Sequence, residues 1–230
     1  WALAERWRLS AGVRHSQVRF ASRDRYVRPG NPDDSGALRY SRTTPVLGLV
    51  FAGGDDWSVY ANAGTGFETP TFAELAYRSD GGSGLNDALR PARSRHVELG
   101  ARGATAALRW DVALFQARTE DELFVLSSVG GRSVFGNAGL TRRRGAEFSF
   151  EAQLATDWRL AMSGTWLDAR QRRDVCTTPA CAPGQRRLVA GNRLPGVAER
   201  TAWAELRWDA GGDTTLLLET RATSGYFADD

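Results

Sequence analysis

One stretch decides the fold: Arg144-Gly145-Ala146-Glu147-Phe148-Ser149-Phe150-Glu151-Ala152-Gln153-Leu154. Its apolar and polar residues alternate, and alternate side chains of an extended chain point to opposite faces. The alanines, phenylalanines and Leu154 therefore share one face, whereas the glutamates, Ser149 and Gln153 share the other. An amphipathic helix would instead repeat its apolar residues every three or four positions. The stretch predicts a β-strand with one apolar and one polar face.

The same alternation recurs along most of the chain. It predicts nine strands, near residues 5–20, 39–51, 57–66, 94–103, 106–126, 133–154, 158–170, 193–208 and 214–226. Short turns rich in glycine and aspartate alternate with longer segments near residues 21–38, 67–93, 127–132 and 171–192. Alternation of short turns and long loops is typical of a transmembrane barrel with one trimmed and one elaborated rim.

The two faces of these strands point to the same architecture. The interior of a β-sandwich could not hold Arg109, Asp111 and Glu147 without partners, whereas a wide water-filled lumen could. The apolar face suits lipid, in which every backbone group must be paired, so the strands must close into a barrel. Trp57, Trp158 and Trp208 lie beside short turns and predict an aromatic girdle at one membrane interface. The predicted fold class is all-β, a transmembrane antiparallel up-and-down β-barrel, of which this chain supplies about nine strands.

Composition excludes some function classes. All 30 basic residues are arginine, but the net charge is only +3, and the arginines are dispersed among acidic residues. A nucleic-acid partner is not expected, because such proteins usually cluster basic residues on one face. The two histidines, His15 and His96, carry no nucleophile-and-base signature. We predict no enzyme activity, no catalytic residue, no metal site and no cofactor.

The two cysteines stand in the polar, proline-containing segment Cys176-Thr177-Thr178-Pro179-Ala180-Cys181. A local disulfide is the favoured interpretation and would imply an oxidising compartment. Free thiols are the alternative. A zinc site is disfavoured, because a closed site needs four ligands and no other cysteine or histidine lies nearby.

Four motifs, in order along the chain, resemble the barrel of TonB-dependent receptors. The first is the strand and loop of residues 60–75, which ends in Gly66-Phe67-Glu68-Thr69-Pro70-Thr71-Phe72-Ala73-Glu74-Leu75. The others are Leu89-Arg90-Pro91 with Glu98-Leu99-Gly100, Asn137-Ala138-Gly139 with Arg144-Gly145-Ala146-Glu147, and Asn192-Arg193-Leu194-Pro195-Gly196-Val197-Ala198. Ala198 stands where the family usually has proline. The glycines and prolines of these motifs have structural roles, in tight backbone approach and at the ends of strands.

A narrower resemblance concerns the outer loops. Residues 77–86, residues 127–132 and the Cys176 and Cys181 pair resemble the branch of the family that takes up pyrroloquinoline quinone. That ligand carries three carboxylates, and a guanidinium can bind a carboxylate through two hydrogen bonds. The resemblance implies Tyr77, Arg78, Asn86 and Arg132 as ligand-binding residues.

The resemblance also implies the setting. It predicts a transporter in the cell outer membrane that imports a scarce nutrient, either a ferric siderophore or a quinone cofactor such as pyrroloquinoline quinone. Expected partners are the TonB complex, reached through a plug segment, the small-molecule ligand, and outer-membrane lipid and lipopolysaccharide. Residues 1–230 are expected to be a fragment of the barrel domain, with the plug and the last strands absent, since nine strands cannot close the family's 22-stranded barrel. The alternative is a passive porin-like or adhesin barrel.

Overall fold

A computed structural model describes residues 1–176 and 186–228 of the chain. In this part of the chain, ten strands form one antiparallel sheet. They are β1 Ala2–Ala4, β2 Trp7–Ser22, β3 Gly36–Ala52, β4 Trp57–Glu68, β5 Ala92–Ala104, β6 Leu108–Glu120, β9 Leu140–Ala155, β10 Trp158–Gln171, β13 Arg200–Gly211 and β14 Thr214–Thr223. Two small hairpins lie outside the sheet: β7 Leu123–Val129 with β8 Arg132–Asn137, and β11 Val175–Cys176 with β12 Arg186–Leu188.

The sheet follows chain order, as the alternation predicts. Each long strand pairs with the next one, and both small hairpins lie within connections on the long-loop rim. One helical turn, α1 Phe72–Leu75, lies in the long loop between β4 and β5. Within residues 1–176 and 186–228, no helix has the length and apolarity needed to cross a bilayer. The nine long strands confirm the predicted number, and β1 is a short addition at the edge.

Three predicted strand boundaries were wrong. Residues 106–126 and 133–154 are each divided, because Asp121 and Gly139 have positive φ angles of 59° and 72° that interrupt the ladder. The predicted loop at residues 127–132 is therefore only the tip of the hairpin between β7 and β8. The strand predicted from residue 193 begins at Arg200 instead, because Pro195 has no N–H to donate and Gly196 turns the chain at a φ of 70°.

The register aligns one apolar face across the whole sheet. Opposite one another on successive strands stand Val59, Ala101, Val112, Phe148, Gly164, Ala202 and Ala222. Large side chains on this face are open to the surroundings, with Leu114 61% and Leu218 70% exposed. The opposite face carries Glu98, Asp111, Glu147 and Arg207, together with Trp203, which is out of keeping with its polar neighbours. The apolar face is the one that lipid can cover.

Aromatic rings cover glycines of neighbouring strands on both faces. A Cβ added to Gly164 would lie 2.5 Å from Phe148 on the apolar face, and one added to Gly100 would lie 2.3 Å from Tyr60 on the polar face. Such cross-strand pairs help to pin the register of a curved sheet.

Aromatic side chains also concentrate at the short-turn rim. Trp158 and Trp208 stack at 5.4 Å with an interplanar angle of 8°, and Trp208 Nε1 donates to Asp157 at 2.9 Å. Phe51 lies between Trp7 and Trp57, with ring centroids at 4.8 and 6.2 Å. Amphipathic rings in this position suit a membrane–water interface.

The buried core lies at the opposite rim. The buried apolar residues of the described chain are Leu75, Leu89, Ala92, Ala138 and Ala169, all in or beside the long loops. The long loops therefore pack against one another at this rim, and together they are called the outer cap below.

Candidate functional site

The loop after β4 is organised by α1. Thr71 is the N-cap of this turn, and its backbone N–H donates to Glu74 Oε2 at 2.7 Å while its hydroxyl accepts from the Glu74 N–H at 3.4 Å. This reciprocal capping box satisfies donors that a helix start leaves unpaired. It delivers Leu75 into the loop core, where the side chain is fully buried. The Pro-Thr-x-x-Glu-Leu motif is thus explained by local structure.

Asp121 joins the loop of residues 121–139 to the end of the loop of residues 69–91 and the start of β5. Its carboxylate accepts from Arg90 Nη2 at 2.7 Å and from Arg93 Nη2 at 2.8 Å. The hydrogen bond from Arg90, followed by that from Arg93, outweighs burial and holds the pKa of Asp121 below its usual value. The carboxylate is therefore ionised at neutral pH, as both ion pairs require.

Asn137 reinforces the same junction. Its amide donates to the carbonyls of Arg90 at 2.8 Å and Asp121 at 2.7 Å, and its oxygen accepts from the Arg90 N–H at 3.0 Å. Glu122, next to Asp121, receives two hydrogen bonds from Arg143, at 2.6 and 2.9 Å, and one from Thr141. Burial opposes ionisation of Glu122, but the bonds from Arg143 and Thr141 leave its pKa lowered.

Arg78 is engaged within its own loop. It forms a two-point ion pair with Asp80, at 3.0 and 2.8 Å, and a third contact with Asp87 at 2.7 Å. The hydrogen bond from Arg78 holds the pKa of Asp80 well below its usual range. Two carboxylates thus contact this guanidinium within the loop.

Asn86 is buried, with 2% of its surface exposed. Its side-chain amide donates to the carbonyls of Tyr77 at 3.2 Å and Phe135 at 3.4 Å. It thereby links the loop of residues 69–91 to β8, and it has little surface with which to meet a ligand.

Tyr77 and Arg132 are brought together although 55 positions separate them in the sequence. The guanidinium carbon of Arg132 lies 5.5 Å from the centre of the Tyr77 ring, within cation–π range. Tyr77 is 39% exposed. Among the four predicted ligand residues, this pair presents both an open ring and a cation that is in no ion pair of the described residues.

A separate cavity of about 670 Å³ lies at the long-loop rim, and neither Tyr77 nor Arg132 lines it. Apolar walls come from Phe124, Val125, Leu194 and Pro195, and polar groups come from Glu122, Arg143 and Gln171. Gln171 donates through Nε2 to the carbonyls of Ala138 and Arg173, which leaves its buried Oε1 without a partner among the described residues. The cavity is therefore lined by apolar and polar groups together.

The cysteines and histidines singled out in the sequence have the following positions. Cys176 is in β11, and Cys181 lies outside the described residues, so the disulfide stays a prediction. His96 Nε2 lies 2.6 Å from Ser94 Oγ, and His15 Nδ1 lies 2.9 Å from Thr43 Oγ1. Both histidines are hydrogen-bonded wall residues on exposed strand surfaces.

Sequence reasoning missed Asp121, Glu122 and Gln171. Asp121 and Glu122 were assigned to the strand of residues 106–126, where an alternating pattern predicts only which face a side chain occupies. Gln171 was assigned to the long segment of residues 171–192, but it is the last residue of β10. The capping-box spacing of Thr71 and Glu74 was a readable signal for the helical turn.

Comparison with known proteins gives a consistent result. The family described as TonB dependent receptor-like, beta-barrel, matches residues 1–229. The pesticin receptor of Yersinia enterocolitica (serotype O:8 / biotype 1B) is 27% identical over 226 residues, which cover 96% of this chain and 29% of that protein. Among solved structures, the copper transporter OprC superposes with a TM-score of 0.76 at 18% identity, over 97% of this chain and 33% of that one. The ferric yersiniabactin uptake receptor FyuA of Yersinia pestis superposes with a TM-score of 0.67 at 22% identity, over 96% and 32%. The chain thus spans about a third or less of the length of these relatives.

Proposed function

Since this chain belongs to the TonB-dependent receptor β-barrel family, we propose that it is part of an outer-membrane transporter that imports a scarce nutrient. This segment supplies a stretch of barrel wall and four outer loops, two of which bring Tyr77 and Arg132 together to capture the ligand. The polar strand face lines the lumen, and the apolar face meets lipid. We further propose that import is driven through the TonB complex, engaged by a plug segment rather than by the wall.

The proposed ligand class is an iron chelate of the siderophore type or a carboxylate-rich quinone cofactor such as pyrroloquinoline quinone. The name of the ferric yersiniabactin uptake receptor, one of the similar solved structures, supports the first. The observation that carries ligand capture is the contact between Tyr77 and Arg132, which offers a planar ring and a cation side by side. An aromatic face stacks on a planar ligand, and a guanidinium binds its carboxylates.

Arg78 and Asn86 have a supporting role in this proposal. Arg78 holds Asp80 and Asp87, and Asn86 ties the Tyr77 carbonyl to β8. Together they fix the loop that presents Tyr77.

The test compares Arg132→Ala with Arg28→Ala in the complete receptor. Arg28 is a matched control, because its guanidinium carbon lies 4.5 Å from the centre of the Tyr26 ring in a different outer loop. A charge-assisted hydrogen bond contributes roughly 1.5–3 kcal/mol, so Arg132→Ala should weaken anionic ligand binding by about tenfold to a hundredfold. Arg28→Ala should leave the affinity unchanged.

Binding would be measured by calorimetry, with ferric siderophores and pyrroloquinoline quinone as probes, and uptake at limiting ligand concentration. Affinity should fall with added salt, because exposed charges are screened over about 8–10 Å. If both variants bind every probe as the unmodified receptor does, Arg132 takes no part in ligand binding and the proposed capture site is wrong. A loss of binding that is confined to pyrroloquinoline quinone would favour the branch of the family that takes up this cofactor over siderophore import.

A further inference from the structure

Arginines form a continuous row on the lipid-facing side of the sheet, near the long-loop rim. Arg95 of β5 stands opposite Arg118 of β6, Arg118 opposite Arg142 of β9, and Arg142 opposite Arg170 of β10. These four residues are called the arginine row below. All four share the face of the apolar residues Leu99, Leu114, Ala146 and Trp166, which lie closer to the middle of the strands.

The arginine row has more guanidinium groups than carboxylates to pair with them. Like charges directly opposite each other on neighbouring strands are destabilising. Arg142 and Arg170 both contact Asp168, at 3.3 and 2.5 Å, and Arg144 takes the same carboxylate at 3.0 Å. Arg95 and Arg118 are exposed and have no ion-pair partner among residues 1–176 and 186–228. The cluster therefore keeps an excess of positive charge.

The height of the row above the short-turn rim places it at the outer interface. From Leu108, the first residue of β6, to Arg118 is ten residues. At roughly 3.3 Å per residue and a tilt of about 40°, this distance corresponds to a rise of about 25 Å, the thickness of the apolar band of such barrels. Trp166 lies four residues below Arg170 on β10, and its exposed ring, whose Nε1 donates to Glu199 at 3.3 Å, suits the upper edge of the apolar band.

We propose that the arginine row binds the phosphate groups of a phosphorylated glycolipid headgroup in the outer leaflet. A row of guanidiniums at the upper edge of the apolar band meets lipid phosphates there, and guanidiniums bind phosphate through paired hydrogen bonds. The acyl chains then lie against the apolar face below. The inference requires that the strands cross the outer membrane, but it does not depend on which ligand is imported.

The test uses the complete receptor in detergent, titrated with lipid A that carries both phosphates, with lipid A stripped of its phosphates, and with inorganic phosphate. Unmodified receptor should bind the phosphorylated lipid far more tightly than either other probe. The double variant Arg95→Gln, Arg118→Gln should bind it about 30-fold more weakly, since each arginine near an anionic surface contributes about 1 kcal/mol.

Arg14→Gln is the matched control, because Arg14 is an exposed strand arginine on the lumen face and should have no effect. Folding of each variant is checked by the heat-dependent shift of barrel mobility on gels. The comparison of lipids on the unmodified receptor keeps the test valid if the double variant does not fold. Equal binding of phosphorylated and stripped lipid, or equal binding of free phosphate, would overturn the proposal, as would a double variant that binds like the unmodified receptor.

Discussion

At the scale of single residues, the outer cap depends on a few polar side chains that reach across loops. Asp121 has a φ of 59°, which is uncommon for a residue other than glycine, and its carboxylate is held by Arg90 and Arg93. Aspartate and asparagine adopt this left-handed conformation more readily than other side chains. The residue therefore satisfies both the turn geometry and the electrostatics of the junction.

The substitution Asp121→Asn separates these two roles, because it keeps the turn and removes the charge. We expect the loop of residues 121–139 to lose roughly 1.5–3 kcal/mol of local stability, the worth of a hydrogen bond to a charged group. The measurement is hydrogen exchange of that loop in the complete receptor, with Asp121→Ala as the comparison that also strains the turn. Unchanged exchange in the asparagine variant would mean that the ion pairs contribute nothing.

The same carboxylate predicts a dependence on pH. The pKa of Asp121 is lowered in the folded protein, chiefly by the hydrogen bond from Arg90, so its stabilising contribution is complete above the ordinary value of 3.8. That contribution is lost as the pH falls below 3.8 through the folded value. Loop exchange, corrected for its intrinsic rate, should rise in this acidic range in the unmodified receptor. The rise should be smaller in Asp121→Asn, in which Glu122 is the remaining carboxylate of the loop with a lowered pKa.

At the scale of single strands, side chains alternate between the apolar and the polar face, so neighbouring residues lie on opposite faces. Phe148 is 45% exposed on the apolar face and lies over Gly164, whereas Ser149 faces the lumen opposite Asp111 and Ser163. A one-residue shift in register would exchange the two faces completely. Cross-strand contacts of aromatic rings with glycines help to hold the register in place.

Two neighbouring substitutions test this assignment. Phe148→Arg should destabilise the barrel by about 2–4 kcal/mol, because it places a charge near the middle of the apolar band. Ser149→Arg should be mild, because the lumen is wet and Asp111 lies opposite. Folding yield and urea titration of the complete receptor in lipid vesicles give the comparison. Equal losses at the two positions would refute the register.

At the scale of the whole molecule, the sheet separates two rims with different tasks. Tight turns and stacked tryptophans occupy one rim, and the packed loops with their ion pairs occupy the other. Family membership confirms the predicted location in the outer membrane, and the relatives are receptors and transporters rather than enzymes. In such barrels the long loops face the exterior and the short turns face the periplasm.

Labelling with a membrane-impermeant maleimide would test this orientation in intact cells. Ser83→Cys, in the loop of residues 69–91, should react from outside. Asp213→Cys, in the turn between β13 and β14, should react only after the outer membrane is permeabilised. The unmodified receptor controls for the native cysteines, and equal labelling of both variants in intact cells would exclude the proposed orientation.

The sequence by itself determined the strands, their faces and the two kinds of connection. These features follow from side-chain alternation with a period of two, which is a local property of the chain. Four ordered motifs likewise sufficed to indicate the family. The ends of the strands at Asp121, Gly139 and Arg200 were less predictable, because a single positive φ angle or an absent N–H breaks a ladder without disturbing the pattern around it.

Only the tertiary structure decided which loop residues meet. Asn137 bonds to Arg90, 47 positions earlier, and Tyr77 contacts Arg132, and neither contact follows from spacing along the chain. The contacts of Arg78 with Asp80 and Asp87 likewise exist only in the folded loop, and its predicted part in ligand binding stays a prediction. The arginine row also exists only through register, since its members come from four different strands. Contacts of this kind depend on how loops and strands pack in space, and that packing is set by the whole sheet rather than by any segment of it.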